Sequence, residues 1–236
     1  MKGIILAGGS GSRLYPCTKV TSKQLLPIYN KPMVLYPLNT LLRAGIKEIL
    51  IIVAPDHAGD FMYLLGSGKE YGAKFTYEIQ DKPNGLAEAF IIGDSFIGDD
   101  SVTMVLGDNL FEDDFAKDIV SFEKGARVFA KEVEHPHRFG VVEFDEDMRV
   151  ISMEEKPTAP KSNFASAGLY IFDNTCVAKA KSLKPSARGE LEIVDLQKKY
   201  LEEGTMDMRK IQGAWFDTGT FDSWLEASMY VKEHNL

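Results

Sequence analysis

The chain has 236 residues, a formal net charge of -8 and 44% hydrophobic residues, which suits one large soluble α/β domain with a substantial core. An acidic pI of about 5.1 argues against a broad nucleic-acid or anionic-membrane surface, and no run approaches the ~20 apolar residues of a membrane span. Two cysteines without C-x-x-C spacing argue against a disulfide framework or a cysteine zinc site and fit a reducing cytoplasm.

Met1-Lys2-Gly3-Ile4 runs directly into an apolar strand, Ile4–Ala7, so no signal peptide is expected. A loop rich in glycine follows, with Gly8, Gly9, Gly11 and then Arg13. Its bare backbone N–H groups and the adjacent cation suit an anion. Neither the dinucleotide fingerprint nor the Walker loop fits, because Leu14 stands at the third glycine position and the single Gly-Lys pair precedes Glu70. A helix is predicted over Met33–Ala44, a strand over Lys47–Val53, a helix over Asp60–Leu65 and a strand over Phe75–Ile79. Leu86–Ile92 reads as a helix and Val102–Leu106 as a fully apolar strand that stops at Gly107-Asp108. This alternation predicts an α/β fold: a Rossmann-like, mostly parallel central sheet with helices on both faces. Ligands of such sheets lie beyond the C-terminal strand ends, where both the glycine loop and Asp108 fall.

The second half reads as a β-rich subregion. Strands are predicted over Arg127–Lys131, Gly140–Phe144, Val150–Met153, Gly168–Phe172 and Met208–Ile211. Helices are predicted over Cys176–Ser182, Leu191–Glu203 and Asp222–His234, the last with a Ser223/Glu226 capping box. No linker divides the halves, so residues 1–236 are expected to form a single domain.

Asp108 in VLGDN and Asp217 in AWFDTGT are carboxylates of the type that holds a hard divalent cation, whose remaining ligands are phosphate and water. Each could equally be a turn residue. Lys156, between two acids and a proline, and Lys23, after the glycine loop, are the lysines with more than a surface setting. His135 and His137 lack a third ligand, and no serine has a nucleophile-elbow context.

Taken in order, LAGGSGSRL, SKQLLPIYNKPM, NGLAEA, LGDN, RFGVVEF, EEKP, AGLY, PSARGELEIVD and AWFDTGT resemble the glucose-1-phosphate thymidylyltransferases, a family of sugar nucleotidyltransferases, over almost the whole chain. The resemblance implies dTTP and glucose 1-phosphate as substrates, dTDP-glucose and pyrophosphate as products, and Mg2+ as cofactor. It implies nucleotide contacts from Leu6, Gly8, Gly9, Gly11, Arg13, Gln24, Gln80, Gly85 and Asp108. Sugar-phosphate contacts are implied for Leu86, Gly140, Glu155, Lys156, Ser166 and Tyr170. Arg13, Lys23 and Lys156 fall on the catalytic cations, and Asp108 and Asp217 on the metal ligands. A cytoplasmic homo-oligomer, dimer or tetramer, is implied as well. Ser166 and Ala167 stand where the family shows Val-Thr, and the chain stops at Leu236, short of the C-terminal helical extension of longer members. Two alternatives stay open: a UTP-using uridylyltransferase, and a non-catalytic nucleotide-sugar sensor.

Overall fold

The computed structural model describes all 236 residues. Thirteen strands and eight helices occur in the order β1 (Lys2–Ala7), β2 (Pro27–Ile28), β3 (Lys31–Pro32), α1 (Leu35–Arg43), β4 (Glu48–Val53), α2 (Ala58–Leu65), β5 (Lys74–Ile79), α3 (Glu88–Ile92) and α4 (Asp94–Ile97). Then follow β6 (Val102–Leu106), β7 (Asn109–Phe111), α5 (Ala116–Val120), β8 (Ala126–Glu132), β9 (Gly140–Phe144), β10 (Val150–Glu155) and β11 (Phe164–Phe172). The chain closes with α6 (Cys176–Lys181), α7 (Ile193–Glu202), β12 (Met206–Lys210), β13 (Trp215–Asp217) and α8 (Phe221–His234).

Nine strands share one sheet, ordered β10-β9-β11-β6-β1-β4-β5, with β8 on β11 and β12 on β8. The centre, β6-β1-β4-β5, is parallel, as the strand–helix alternation requires. Strand β11 lies antiparallel on β6 and ties the second half to the first. Residues of β1 alternate between two cores: Ile4 and Leu6 face one, Ile5 and Ala7 the other. Helices α3, α6 and α7 cover the first face, and α1, α2 and α5 the second. Burial on both faces explains why these strands read as continuous apolar runs. In register, Ala7 pairs with Val53 and Leu6 with Leu106, so three strands end along one edge. That edge carries the glycine loop and Asp108.

Some expectations shift. The helix expected from Leu86 starts at Glu88, because the Ala87 N–H donates to the Leu191 carbonyl at 3.1 Å. Strand β11 begins at Phe164 rather than Gly168, since the small residues 165–167 are buried against neighbouring strands across a bulge. The capping box is Thr220 with Ser223, not Ser223 with Glu226. The helix starts one residue earlier than expected, which places Ser223 at the third helical position, where the two hydroxyl side chains serve each other's backbone N–H. Thr220→Ala should therefore lower stability by about 1 kcal/mol. A reduced urea midpoint with an unchanged slope checks it; an unchanged midpoint removes the cap from the account.

Candidate active site

A cavity of about 350 Å³ opens along the C-terminal edge of the parallel strands, within the range of small-molecule sites. One wall is the loop after β1. Gly11 adopts φ +63 and begins a 3-10 turn over Ser12–Leu14, which delivers Arg13 to the cavity. A second 3-10 turn, Lys23–Leu25, presents Lys23 and Gln24, both buried. Gln24 accepts a hydrogen bond from the Ser22 hydroxyl at 2.6 Å. Gln80, just past β5, is buried, and its amide N–H donates to Glu88 at 2.7 Å. Its side-chain oxygen presses on Gly8 so closely that a Cβ there would come within 2.5 Å.

The cavity floor carries the aspartates. Strand β6 ends at Leu106, and Asp108 precedes the three-residue strand β7. Strand β13 pairs antiparallel with β7, matching Asp217 to Asn109 and Trp215 to Phe111. Next to this pairing, the Thr218 N–H and hydroxyl both donate to the Asp108 carbonyl, at 3.0 and 2.7 Å. A six-residue ladder thus sets two distant carboxylates side by side. Lys23 forms an ion pair with Asp108 Oδ2. Burial works to raise the Asp108 carboxyl, but the Lys23 charge and hydrogen bond overcome it and hold the group below the usual carboxylate range. Asp217 has no such partner. Burial, then the neighbouring Asp108 charge, push it up to about 6, against the pull of Lys23, Arg13 and Arg138.

The far end is built on the antiparallel strands. Gly140 opens β9 opposite Glu155, which closes β10. Lys156 follows at φ 44, its N–H donating to the Phe139 carbonyl at 3.0 Å. Its ammonium lies 3.5 Å from Glu155. Arg188 joins this group, 3.3 Å from Glu155 and 2.8 Å from Glu192. Burial raises the Glu155 carboxyl, opposed by Lys156 and Arg188 and reinforced by Glu192. Ser166 and Tyr170 on β11 are buried along the wall, the Ser166 hydroxyl without a hydrogen-bond partner. A group of acids, amides and cations at this density suits a ligand with both hydroxyls and phosphate.

Two carboxylates, one of them already paired with a lysine, fit a hard divalent cation that takes its other ligands from phosphate and water. No cluster of three or more His, Cys, Asp or Glu suitable for a metal occurs in the structure. With two carboxylates, such a cation would have to take its remaining ligands from substrate and water.

The sequence matches the family model for nucleotidyl transferases over residues 2–234. The chain belongs to that family. It is 54% identical to a glucose-1-phosphate thymidylyltransferase of Neisseria meningitidis, over 98% of this chain and 83% of the relative. A relative of the same name from Mycolicibacterium smegmatis is 50% identical, over 98% and 82%. A solved Bacillus anthracis structure ascribed to the same enzyme class, in complex with sucrose, superposes with a TM-score of 0.93 at 43% identity, covering 99% of this chain and 96% of that one.

The fold of this nucleotidyl transferase gathers most of the expected residues. Leu6, Gly9, Arg13, Lys23, Gln24, Gln80, Gly85, Leu86 and Asp108 line the cavity, as do Gly140, Glu155, Lys156, Ser166, Tyr170 and Asp217. Gly8 and Gly11 do not; they shape the loop from behind, against Gln80 and against Thr18 and Lys23. The sequence reading missed Asn109, Arg138, Arg188, Glu190, Glu192 and Trp215, all of which line the same cavity. Arg188, Glu190 and Glu192 lie inside PSARGELEIVD, so the motif itself held the signal.

Gly85 offers a direct test of whether this wall holds a nucleotide. It sits at φ +109, and a Cβ there would lie 2.4 Å from the Leu191 carbonyl oxygen and 2.5 Å from its nitrogen. Gly85→Ala must displace the segment that joins Leu191 to Asn84 and Ala87. KM for the nucleotide should rise at least tenfold, with a smaller fall in kcat. Unchanged KM would show that this loop does not contact the nucleotide.

Proposed function

We infer that the protein transfers a thymidylyl group from dTTP to glucose 1-phosphate, releasing pyrophosphate. The observation that carries the reading is the pairing of Asp108 and Asp217 on one ladder, between the cations of the glycine loop and the Lys156 end of a single cavity. In this reading Leu6, Gly9, Gln24, Gln80 and Gly85 hold the nucleotide, with Gly8 and Gly11 shaping its loop. Leu86, Gly140, Glu155, Ser166 and Tyr170 face the sugar. The 54% identity to a thymidylyltransferase over 98% of this chain supports the assignment.

A sugar-phosphate oxygen attacks the α-phosphorus in line. The new P–O bond forms as the bond to the β-phosphate bridging oxygen breaks, and pyrophosphate carries off that electron pair. The attacking oxygen is already anionic, so no general base is required. The barrier lies in bringing two anions together. Arg13 and Lys23 offset the triphosphate charge, and Lys156 holds the sugar phosphate. A divalent cation, Mg2+ in this reading, would be held by Asp108 and Asp217 and supply charge neutralisation at the triphosphate. Assembly as a homo-oligomer in the cytoplasm belongs to the same inference, as does a single domain, which is supported by the sheet that both halves share.

The test is pyrophosphate release across a matrix of nucleoside triphosphates and hexose 1-phosphates. The expected result is fastest turnover with dTTP and glucose 1-phosphate, with UTP next, since a missing methyl contact is worth only about 1 kcal/mol. Faster turnover with UTP would make the protein a uridylyltransferase. No product from any pair would leave the sensor reading.

A further inference from the structure

Asn109 opens β7 directly after Asp108 and is only 2% exposed. Its side-chain oxygen accepts two hydrogen bonds, from the Trp215 indole N–H at 2.7 Å and the Gly168 backbone N–H at 3.2 Å. Only an oxygen can accept from both, so these donors fix which end of the amide faces which way. The amide nitrogen is thereby turned to Asp108 and donates to its Oδ1 at 3.0 Å. The opposite oxygen, Oδ2, receives the Lys23 ammonium. Gly168 is what permits this approach, since a Cβ there would stand 2.5 Å from the Asn109 oxygen.

We propose that Asn109 is the positioning residue for the divalent cation. The proposal rests on the reading of Asp108 and Asp217 as the metal ligands. The Lys23 ammonium is a compact point charge that fixes one oxygen and leaves the carboxylate free to turn about it. The Asn109 N–H holds one oxygen away from Lys23, so the group stays open to a cation next to Asp217. The amide is anchored on two separate elements, β13 through Trp215 and β11 through Gly168. The orientation of Asp108 therefore depends on the strand that carries the second ligand. Partners of this kind, one bond behind a ligand, change metal affinity or activity by about 10–100-fold when removed.

The experiment measures Mn2+ binding by electron paramagnetic resonance on the whole protein, with Mn2+ alone and then with dTTP. Asp217→Asn is the control. If wild-type binding survives that substitution, the two-aspartate reading fails, separately from this proposal. With the control behaving, Asn109→Leu should weaken Mn2+ at least tenfold. Its turnover should recover as Mn2+ is raised, with KM for dTTP and glucose 1-phosphate returning to near wild type only at saturating Mn2+. A purely structural defect would not be rescued by metal. Unchanged Mn2+ affinity, or a turnover defect that persists at saturating Mn2+, overturns the proposal. If Asn109→Leu does not fold, Trp215→Phe removes one of the two anchors and leaves the amide in place. It should weaken Mn2+ in the same direction by a smaller factor, and wild-type affinity in that variant overturns the proposal equally.

Discussion

Asp108→Asn and Asp217→Asn should each lower kcat by on the order of a hundredfold or more, and the double variant should fall little below the worse single one. Each substitution keeps the side-chain volume and removes one negative ligand. If both carboxylates serve one cation, losing the first ligand forfeits most of what the second contributes, so the effects overlap instead of multiplying. Asp108→Asn should be the worse, because it also strands the buried Lys23 ammonium without its partner. Fully multiplicative losses would show that the two residues act separately. The two substitutions should also act oppositely on stability: Asp108→Asn lowers it by removing the partner of Lys23, and Asp217→Asn raises it. Asp217 is held up to about 6 from an ordinary 3.8 by burial, then by the Asp108 charge, with Lys23, Arg13 and Arg138 opposing. A carboxyl raised in the folded state is destabilising when ionised: the penalty is absent below the unfolded pKa and grows as pH rises through the folded one. Metal-free Asp217→Asn should therefore melt above the wild type at pH 7, and the gap should close near pH 4. Equal melting temperatures across that window would deny the strain at Asp217.

Arg13→Ala and Lys156→Ala should both cost about 2–4 kcal/mol of transition-state stabilisation, but on different substrates. Arg13 enters the cavity from the glycine loop, whereas Lys156 enters from the end of β10, beside Glu155. Lys156→Ala should chiefly raise KM for the sugar phosphate. It also removes a charge that holds the Glu155 carboxyl down, leaving Arg188 as that group's remaining cation. Arg13→Ala should chiefly reduce kcat and affinity for dTTP. Initial-rate kinetics with each substrate varied separates the two. A variant with near-normal turnover takes its residue out of the mechanism, and identical KM patterns would mean that the cavity is not divided as described.

Much of the fold was legible because its strands are long and its cores two-sided. Runs such as Ile49–Val53 and Val102–Leu106 are buried on both faces, so they read as apolar without any need for register. Chain order also placed the glycine loop and Asp108 on the same sheet edge. What escaped were elements too short to have a period. Strands β7 and β13 have three residues each, and NLF and WFD carry no alternation that a window could detect. Yet this ladder brings Asp217 to Asp108, so the proposed metal pair could be suggested from the sequence only by residue type and resemblance. Arg188 escaped for a different reason. It sits in an exposed, strandless stretch, where PSARGELEIVD marks the segment but only the proximity of Glu155 and Glu192 singles out this side chain. The Thr220 cap was missed by three residues, because a Thr-x-x-Ser box carries less sequence signal than a Ser-x-x-Glu one.

The bonds from Thr218 to Asp108 join positions 110 residues apart, which gives the proposed cation site a place in time as well as in space. A ribosome must make the chain through Thr218 before the ladder can close, so a shorter nascent chain can have a completed parallel sheet without a cation site. Closing so long a loop carries an entropic cost that the six-residue ladder can repay only in part. A divalent cation bound across the two aspartates would favour the closed chain by mass action. The refolding rate of β13, followed by Trp215 fluorescence, should then be slower than that of the sheet beneath it. The protein would gain its tertiary core first and its chemistry last.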